Sequence, residues 1–232
     1  MKPLYKRAVI KLTGEALGKG GINFDSLLKL SEELKSAKEL GIEMILVLGG
    51  GNLFRGRSLT RFPPVKADYL GMVATVLNGL ALGEVLEKNG IPARVLSALK
   101  VEKAVESYEP ELALKYLGEK KIVILTGGTG LPFFTTDSAA ALRALELKAD
   151  VLLKATKVAG IFSRDPEKYP EAEFFPSISY DEVLKRKLEI MDLTAVLLCR
   201  KADLRVVVFD FHKKGNLKKA LAGKEIGSII RG

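Results

Sequence analysis

The sequence predicts an α/β protein: a mainly parallel sheet with helices on both faces, in a three-layer αβα sandwich. Three observations carry this. Apolar runs alternate with amphipathic ones along almost the whole chain, in a βαβα order. Runs such as "IVIL" and "VVVF" are apolar at every position, which suits strands buried on both faces. With 232 residues, 47% of them hydrophobic, the chain can bury a sizeable core, and a single domain over 1–232 is expected.

The elements follow in order. Residues 7–12 ("RAVIKL") read as the first strand, stopped by Thr13 and Gly14. Residues 26–40 carry a helical period mixed with Lys and Glu, as on a solvated helix face, and Gly41 is the expected stop. A second strand over 43–48 runs into Gly49, Gly50 and Gly51. A long apolar helix over 67–88 ends before Gly90. Strands are then expected at 93–96, 121–126, 151–154 and 205–210, and helices at 138–147 and 192–201. Ser179 and Glu182 form a capping-box pattern for a further short helix. Residues 163–177 contain three prolines and read as irregular connection.

Composition excludes several classes of function. The one cysteine, Cys199, rules out an internal disulfide and a cysteine metal cluster, and its apolar helical setting predicts a buried thiol. The one histidine, His212, rules out a histidine-based triad or a multi-histidine zinc site. No apolar run approaches the roughly 20 residues of a membrane helix. The N-terminal apolar run is interrupted by Lys11 and lacks a small-residue cleavage site, so a strand is expected there and a cytoplasmic protein overall. Net charge is +9, which favours anionic partners. The basic residues are dispersed among Glu and form no tract with aromatics, so neither nucleic acid nor membrane is the expected partner.

In open parallel sheets ligands bind beyond the carboxyl ends of the strands. Every chemically suggestive turn falls there: "KLTG" after the first strand, "GGGN" after the second, "GGTGLPFFTTD" after residue 126 and "KATKVAGIF" after residue 153. No P-loop or dinucleotide fingerprint is present. The glycine turns nevertheless offer backbone N–H groups that can converge on anionic oxygens. Lys11 ends an apolar strand, where an ammonium must reach either water or an anion. Thr135 and Thr136 place hydroxyls at a helix N-terminus, and Asp137 reads either as its cap or as a carboxylate orienting a lysine or a hydrated Mg²⁺. Phe133 and Phe134 are either core residues or an apolar wall for a base. Asp165 and Asp192 read as a turn residue and a helix cap, while Arg55 and Asp68 carry no signal alone. Lys11, Arg55, Lys154, Lys157 and the glycine turns together make the cationic inventory of phosphoryl transfer.

Taken in order and spacing, "KLTGEAL", "GGGNLFRG", "GTGLPFFTTDSAA", "LKATKV" and "MDLTA" resemble the bacterial-type UMP kinase branch of the amino-acid kinase superfamily, from Lys6 to the C-terminus. The resemblance implies transfer of the γ-phosphoryl of Mg²⁺-bound ATP to UMP, in a homohexamer inhibited by UTP and often activated by GTP. It implies an ATP site formed by Lys11, Leu12, Thr13, Gly14, Gly51, Arg55, Thr156, Phe162 and Asp165. The UMP site it implies comprises Gly50, Asp68, Thr129, Gly130, Leu131, Pro132, Phe133, Phe134, Thr135 and Thr136. Lys11, Arg55, Lys154 and Asp137 are its catalytic set, with no direct side-chain ligand to metal and Asp137 reaching one through water. The N-terminal part would mainly hold UMP and oligomer contacts, and the C-terminal part ATP. Two departures stand out: Ala159 where the family carries Asp, and Leu131 where it carries Asn. The glycine-rich segment 18–23 is shortened in the region linked to GTP control. Rival readings are a kinase with a carboxylate or carbamate acceptor and a non-catalytic nucleotide-binding protein.

Overall fold

The computed structural model describes residues 3–54 and 61–232. Its nine-stranded sheet grows outward from the first apolar run, β1 (Arg7–Leu12). On one side of β1 lie β2 (Glu43–Leu48), β5 (Ile122–Thr126), β3 (Ala93–Ser97) and β4 (Glu106–Ser107). On the other lie β6 (Val151–Thr156), β10 (Arg205–Asp210), β11 (Ser228–Arg231) and β9 (Ser177–Ser179). All pairings in this sheet are parallel except β10 with β11.

Alternation along β1 divides the core in two. Ala8, Ile10 and Leu12 face a layer holding α1 (Phe24–Lys38), α2 (Pro64–Lys88) and α7 (Asn216–Leu221). Val9 faces the other layer, which holds α3 (Pro110–Gly118), α4 (Thr136–Glu146), α5 (Tyr180–Lys185) and α6 (Leu193–Lys201). By the same period Lys11 points to the α4 side. The alanines of α4, Ala139, Ala140, Ala141 and Ala144, are at most 1% exposed. These small side chains let the helix lie close against the sheet, bringing its first turn beside Lys11.

Every expected strand and helix is present, with ends shifted by a few residues. Gly41 and Gly90 adopt the left-handed backbone that ends a helix. Ser179 caps α5 by accepting from the Glu182 N–H, and Asp192 caps α6 by accepting from the Ala195 N–H. Cys199 is fully buried. Two expectations are corrected. Residues 163–177 are not wholly irregular: β8 (Phe174–Phe175) pairs antiparallel with β7 (Ile161–Phe162), because the "FF" pair can cover apolar neighbours despite the flanking prolines. And α2 is long and apolar enough to cross a membrane by length and composition, with mean hydropathy 1.5 over 18 residues. Here it packs on the sheet, with 56% of that window buried, and Gly79 and Gly83 seat it against Thr126 and Val95.

Candidate active site

Register places two lysines side by side. Lys11 of β1 pairs with Lys154 of β6, so both side chains leave the same face of the sheet near its carboxyl rim. Asp137, in the first turn of α4, stands between them. Its Oδ1 is 3.0 Å from Lys11 Nζ and its Oδ2 is 2.5 Å from Lys154 Nζ, with all three side chains 12–15% exposed. Burial pushes the Asp137 carboxyl up, but the two ammonium groups outweigh it and hold the carboxyl below its ordinary value. For Lys154, burial dominates and Lys11 adds to it. Asp137 offsets only part, and the ammonium lies below its ordinary pKa. The cluster has two cations for one anion and opens on the rim, a layout that favours an anionic ligand.

Asp137 is not the helix cap. Thr135 caps α4, its hydroxyl oxygen accepting from the N–H groups of Asp137 and Ser138 at 3.1 and 3.2 Å. The Asp137 carboxylate is thereby left for the lysines. Thr135 in turn donates its hydroxyl proton to Asp192, which also accepts from Ser138 Oγ at 2.7 Å. One carboxylate therefore ties the N-termini of α4 and α6 together. Burial raises the Asp192 pKa, but bonds from Thr135, Ser138 and the Ala195 N–H bring it below its ordinary value.

The glycine turns after β1 and β2 interlock. A Cβ at Gly14 would stand 2.8 Å from the backbone nitrogens of Gly51 and Asn52, and one at Gly50 would meet the Gly71 carbonyl at 2.6 Å. Two buried asparagines, missed at the level of sequence, fix this junction. Asn52 and Asn78 exchange amide hydrogen bonds of 3.0 and 2.7 Å, Asn78 also donates to the Gly49 carbonyl, and Asn52 to the Gly21 carbonyl. A polar residue amid the apolar run of α2 was the available signal for Asn78. Leu12 is buried and Thr13 exposed beside Gly14. Arg55 lies outside the described residues. Lys157 is ion-paired with Glu15, in the short 3₁₀ turn Gly14–Leu17.

The loop between β5 and α4 is held at several points. Gly127, Gly128, Gly130 and Phe133 all have left-handed backbone, with φ of 74°, 59°, 84° and 69°. Left-handed φ at a bulky aromatic costs on the order of 1–2 kcal/mol. The Asp68 carboxylate accepts from the Phe133 N–H at 2.7 Å, which joins α2 to the loop. Thr129 Oγ1 bonds both the N–H and the carbonyl of Leu131 at 3.2 Å. That turn is closed without help from side chain 131, and Leu131 is 59% exposed. Phe133 and Phe134 are exposed as well, so neither is a core residue. Pro132 and Thr136 complete the loop, partly buried.

Beyond β6 lies a cleft of about 530 Å³ lined by Lys154, Thr156, Phe162 and Asp165, with Arg164 and Lys187 on its walls. Phe162 stacks obliquely on Phe174, ring centroids 5.1 Å apart. The Thr156 hydroxyl lies 2.8 Å from the Val158 carbonyl oxygen and 3.1 Å from that of Phe209. Asp165 keeps its turn role by accepting from the Glu167 N–H. Ala159 is exposed and adds no polar group.

The glycine-lined rim and the partly buried Lys11–Asp137–Lys154 cluster together suit a site that handles an anionic group. The sequence pattern of the amino acid kinase family matches residues 6–210, and the chain belongs to that family. Among solved structures it is similar to the UMP kinase from Bacillus anthracis, with a TM-score of 0.94 and 34% identity over 98% of this chain and 96% of that one. It is similar also to the UMP kinase from Ureaplasma parvum, with a TM-score of 0.92 and 32% identity over the whole of both chains. The uridylate kinase from Archaeoglobus fulgidus superposes with a TM-score of 0.74 at 26% identity, over 96% of this chain and 99% of that one.

Proposed function

We propose that this protein is a UMP kinase, transferring the γ-phosphoryl of ATP directly to a phosphate oxygen of UMP and releasing UDP and ADP. The observation that carries the reading is the Asp137 carboxylate set between Lys11 and Lys154 at the carboxyl rim. Phosphoryl transfer asks mainly for positioning and for cations around the transferring group. In this reading Lys11 and Lys154 stabilise the charge that develops there, and Asp137 keeps both ammonium groups aimed. Thr13, Gly14 and Gly51 offer N–H groups to the ATP phosphates, while Thr156, Phe162 and Asp165 line the cleft for its base. Arg55 belongs to the same proposed set. Gly50, Asp68 and residues 129–136 form the cradle for UMP. The chain would act as one domain, its N-terminal part holding mainly UMP and oligomer contacts and its C-terminal part mainly ATP.

Mg²⁺ fits this site only through the nucleotide. Both Asp137 oxygens are taken by lysines, and no group of three potential metal ligands occurs among the described residues. The ion would be held by phosphate oxygens and water, with Asp137 in reach through water, and would neutralise charge on the phosphates. The test is ADP release with Mg²⁺-ATP and UMP, CMP, dUMP or acetylglutamate as acceptor. Turnover with UMP above all others is expected, and none with UMP by the folded protein would overturn the reading. A non-catalytic relative would have no need of the buried charge cluster. An acylglutamate acceptor would turn over in its own arm of the assay.

The same reading includes a homohexamer, a cytoplasmic setting, inhibition by UTP and activation by GTP. In support of assembly, Val65, Tyr69, Val73 and Leu77 recur every four residues on α2 and are 37–47% exposed, an apolar stripe that a second copy would cover. Val73→Glu is expected to shift the protein from its assembly to smaller species in light scattering. An unchanged mass would remove this face from the interface. Adding UTP or GTP to the assay reads the two effector proposals.

A further inference from the structure

Arg143 is the most thoroughly buried basic residue near the substrate loop, yet the phosphoryl-transfer scheme gives it no task. It lies two turns into α4 with its side chain 6% exposed. Nη1 donates to Glu146 at 2.7 Å and Nη2 to the carbonyl of Gly128 at 3.2 Å. The guanidinium lies 4.0 Å over the ring of Tyr108, whose hydroxyl donates to the same Glu146 oxygen. Nε, fully buried, finds no partner. A leucine or methionine would fill this volume without desolvating a charge and stranding a donor. What only a guanidinium offers here is a flat fork that stacks on an aromatic and binds a carboxylate and a carbonyl together.

The carbonyl it holds is informative. Gly128 is left-handed and lies one residue before Thr129, at the base of the loop whose far end is α4 itself. Arg143 therefore ties the start of the loop to the helix that carries Asp137. Thr75 holds the neighbouring Gly127 N–H at 2.7 Å, and Asp68 holds Phe133 near the tip. Arg143, like Thr75, can be altered without touching Asp68, the lysines or the ATP cleft, and of the three it is the one that reaches the loop from α4.

We propose that Arg143 is a positioning residue for the acceptor nucleotide, setting the loop through the Gly128 carbonyl and Tyr108. This rests on the reading that residues 129–136 hold UMP. Arg143→Lys keeps the charge and can still reach Glu146, but an ammonium cannot stack flat and reach Gly128 as well. It is expected to raise the KM for UMP about tenfold while the KM for ATP stays within about twofold, as loss of one charge-assisted hydrogen bond would do. Amide hydrogen exchange at residues 129–133 should quicken while that of β1 and β6 is unchanged. A folded Arg143→Lys with unaltered KM for UMP and unaltered loop exchange would overturn the proposal. An equal rise in both KM values would do so too, since it would mark a general loss of structure. Should Arg143 variants fail to fold, Tyr108→Leu removes the stacking face together with the hydroxyl bond to Glu146, Tyr108→Phe removes that bond alone, and the same contrast between UMP and ATP in the pair decides. If the wild type turns over no UMP, the function reading fails separately, and loop exchange in Arg143→Lys still tests the anchor.

Discussion

Asp137→Asn is expected to lower kcat by on the order of a hundredfold or more while the KM for UMP moves by less than about threefold. The substitution keeps size and shape, so the effect is that of the charge. In its absence Lys11 and Lys154, neighbours in register, face one another unneutralised. Lys154 already sits below the ordinary lysine pKa because of burial, and Asp137 is the main group holding it up. Removing that support lowers it further, so the alkaline limb of the pH–rate profile should move to lower pH.

Stability follows the same logic. Asp137 has a folded pKa below its ordinary 3.8, so its ionised form contributes stability above that value, lost as pH falls through the lower folded one. The variant lacks this increment at neutral pH, and its acid denaturation should lose the corresponding step. Removing one partner from a buried ion pair typically costs on the order of 3 kcal/mol, which calorimetry would detect. A variant with wild-type kcat would remove Asp137 from the catalytic set.

The second large effect is expected from Gly14→Ala. Nothing in the backbone angles of Gly14 demands glycine; the space does. The added methyl would press on the nitrogens of Gly51 and Asn52 at 2.8 Å and on the Asn52 side chain. Asn52 cannot give way cheaply, because Asn78 and the Gly21 carbonyl hold its amide. Overpacking of this kind costs typically about 1–3 kcal/mol. It would also part the two glycine turns proposed to bind ATP phosphates, so the KM for ATP should rise about tenfold or more. A variant with unchanged melting temperature and unchanged KM for ATP would show that the turns need not touch.

Much of this was legible in the sequence where a local rule applied. The six interior parallel strands are apolar runs of five or six residues, and α4, α5 and α6 each follow a polar cap. Several short elements escaped: α3 has nine residues, α7 six, and β4 and β9 are two- and three-residue edge strands held by their neighbours. Thr135 and Asp137 show where a local rule falls short. Both are good caps, two residues apart, and sequence cannot rank them. The structure assigns the cap to Thr135 because the Asp137 carboxylate has stronger partners in two partly buried ammonium groups. Asn52 and Asn78 were missed for a related reason: their value lies in each other, 26 residues apart.

The sequence by itself determined that this is a covered parallel sheet, and that Lys11, the glycine turns, Lys154 and the Thr-rich loop stand at strand ends. Periodicity is enough for that, since each strand and turn is written in a handful of adjacent residues. Only the tertiary structure decided which strand ends are neighbours. Lys11 and Lys154 meet because the strand order is β2, β1, β6, and α4, made narrow by its alanines, lowers Asp137 between them. That order follows from how whole helices pack against a shared sheet, and no local pattern encodes it.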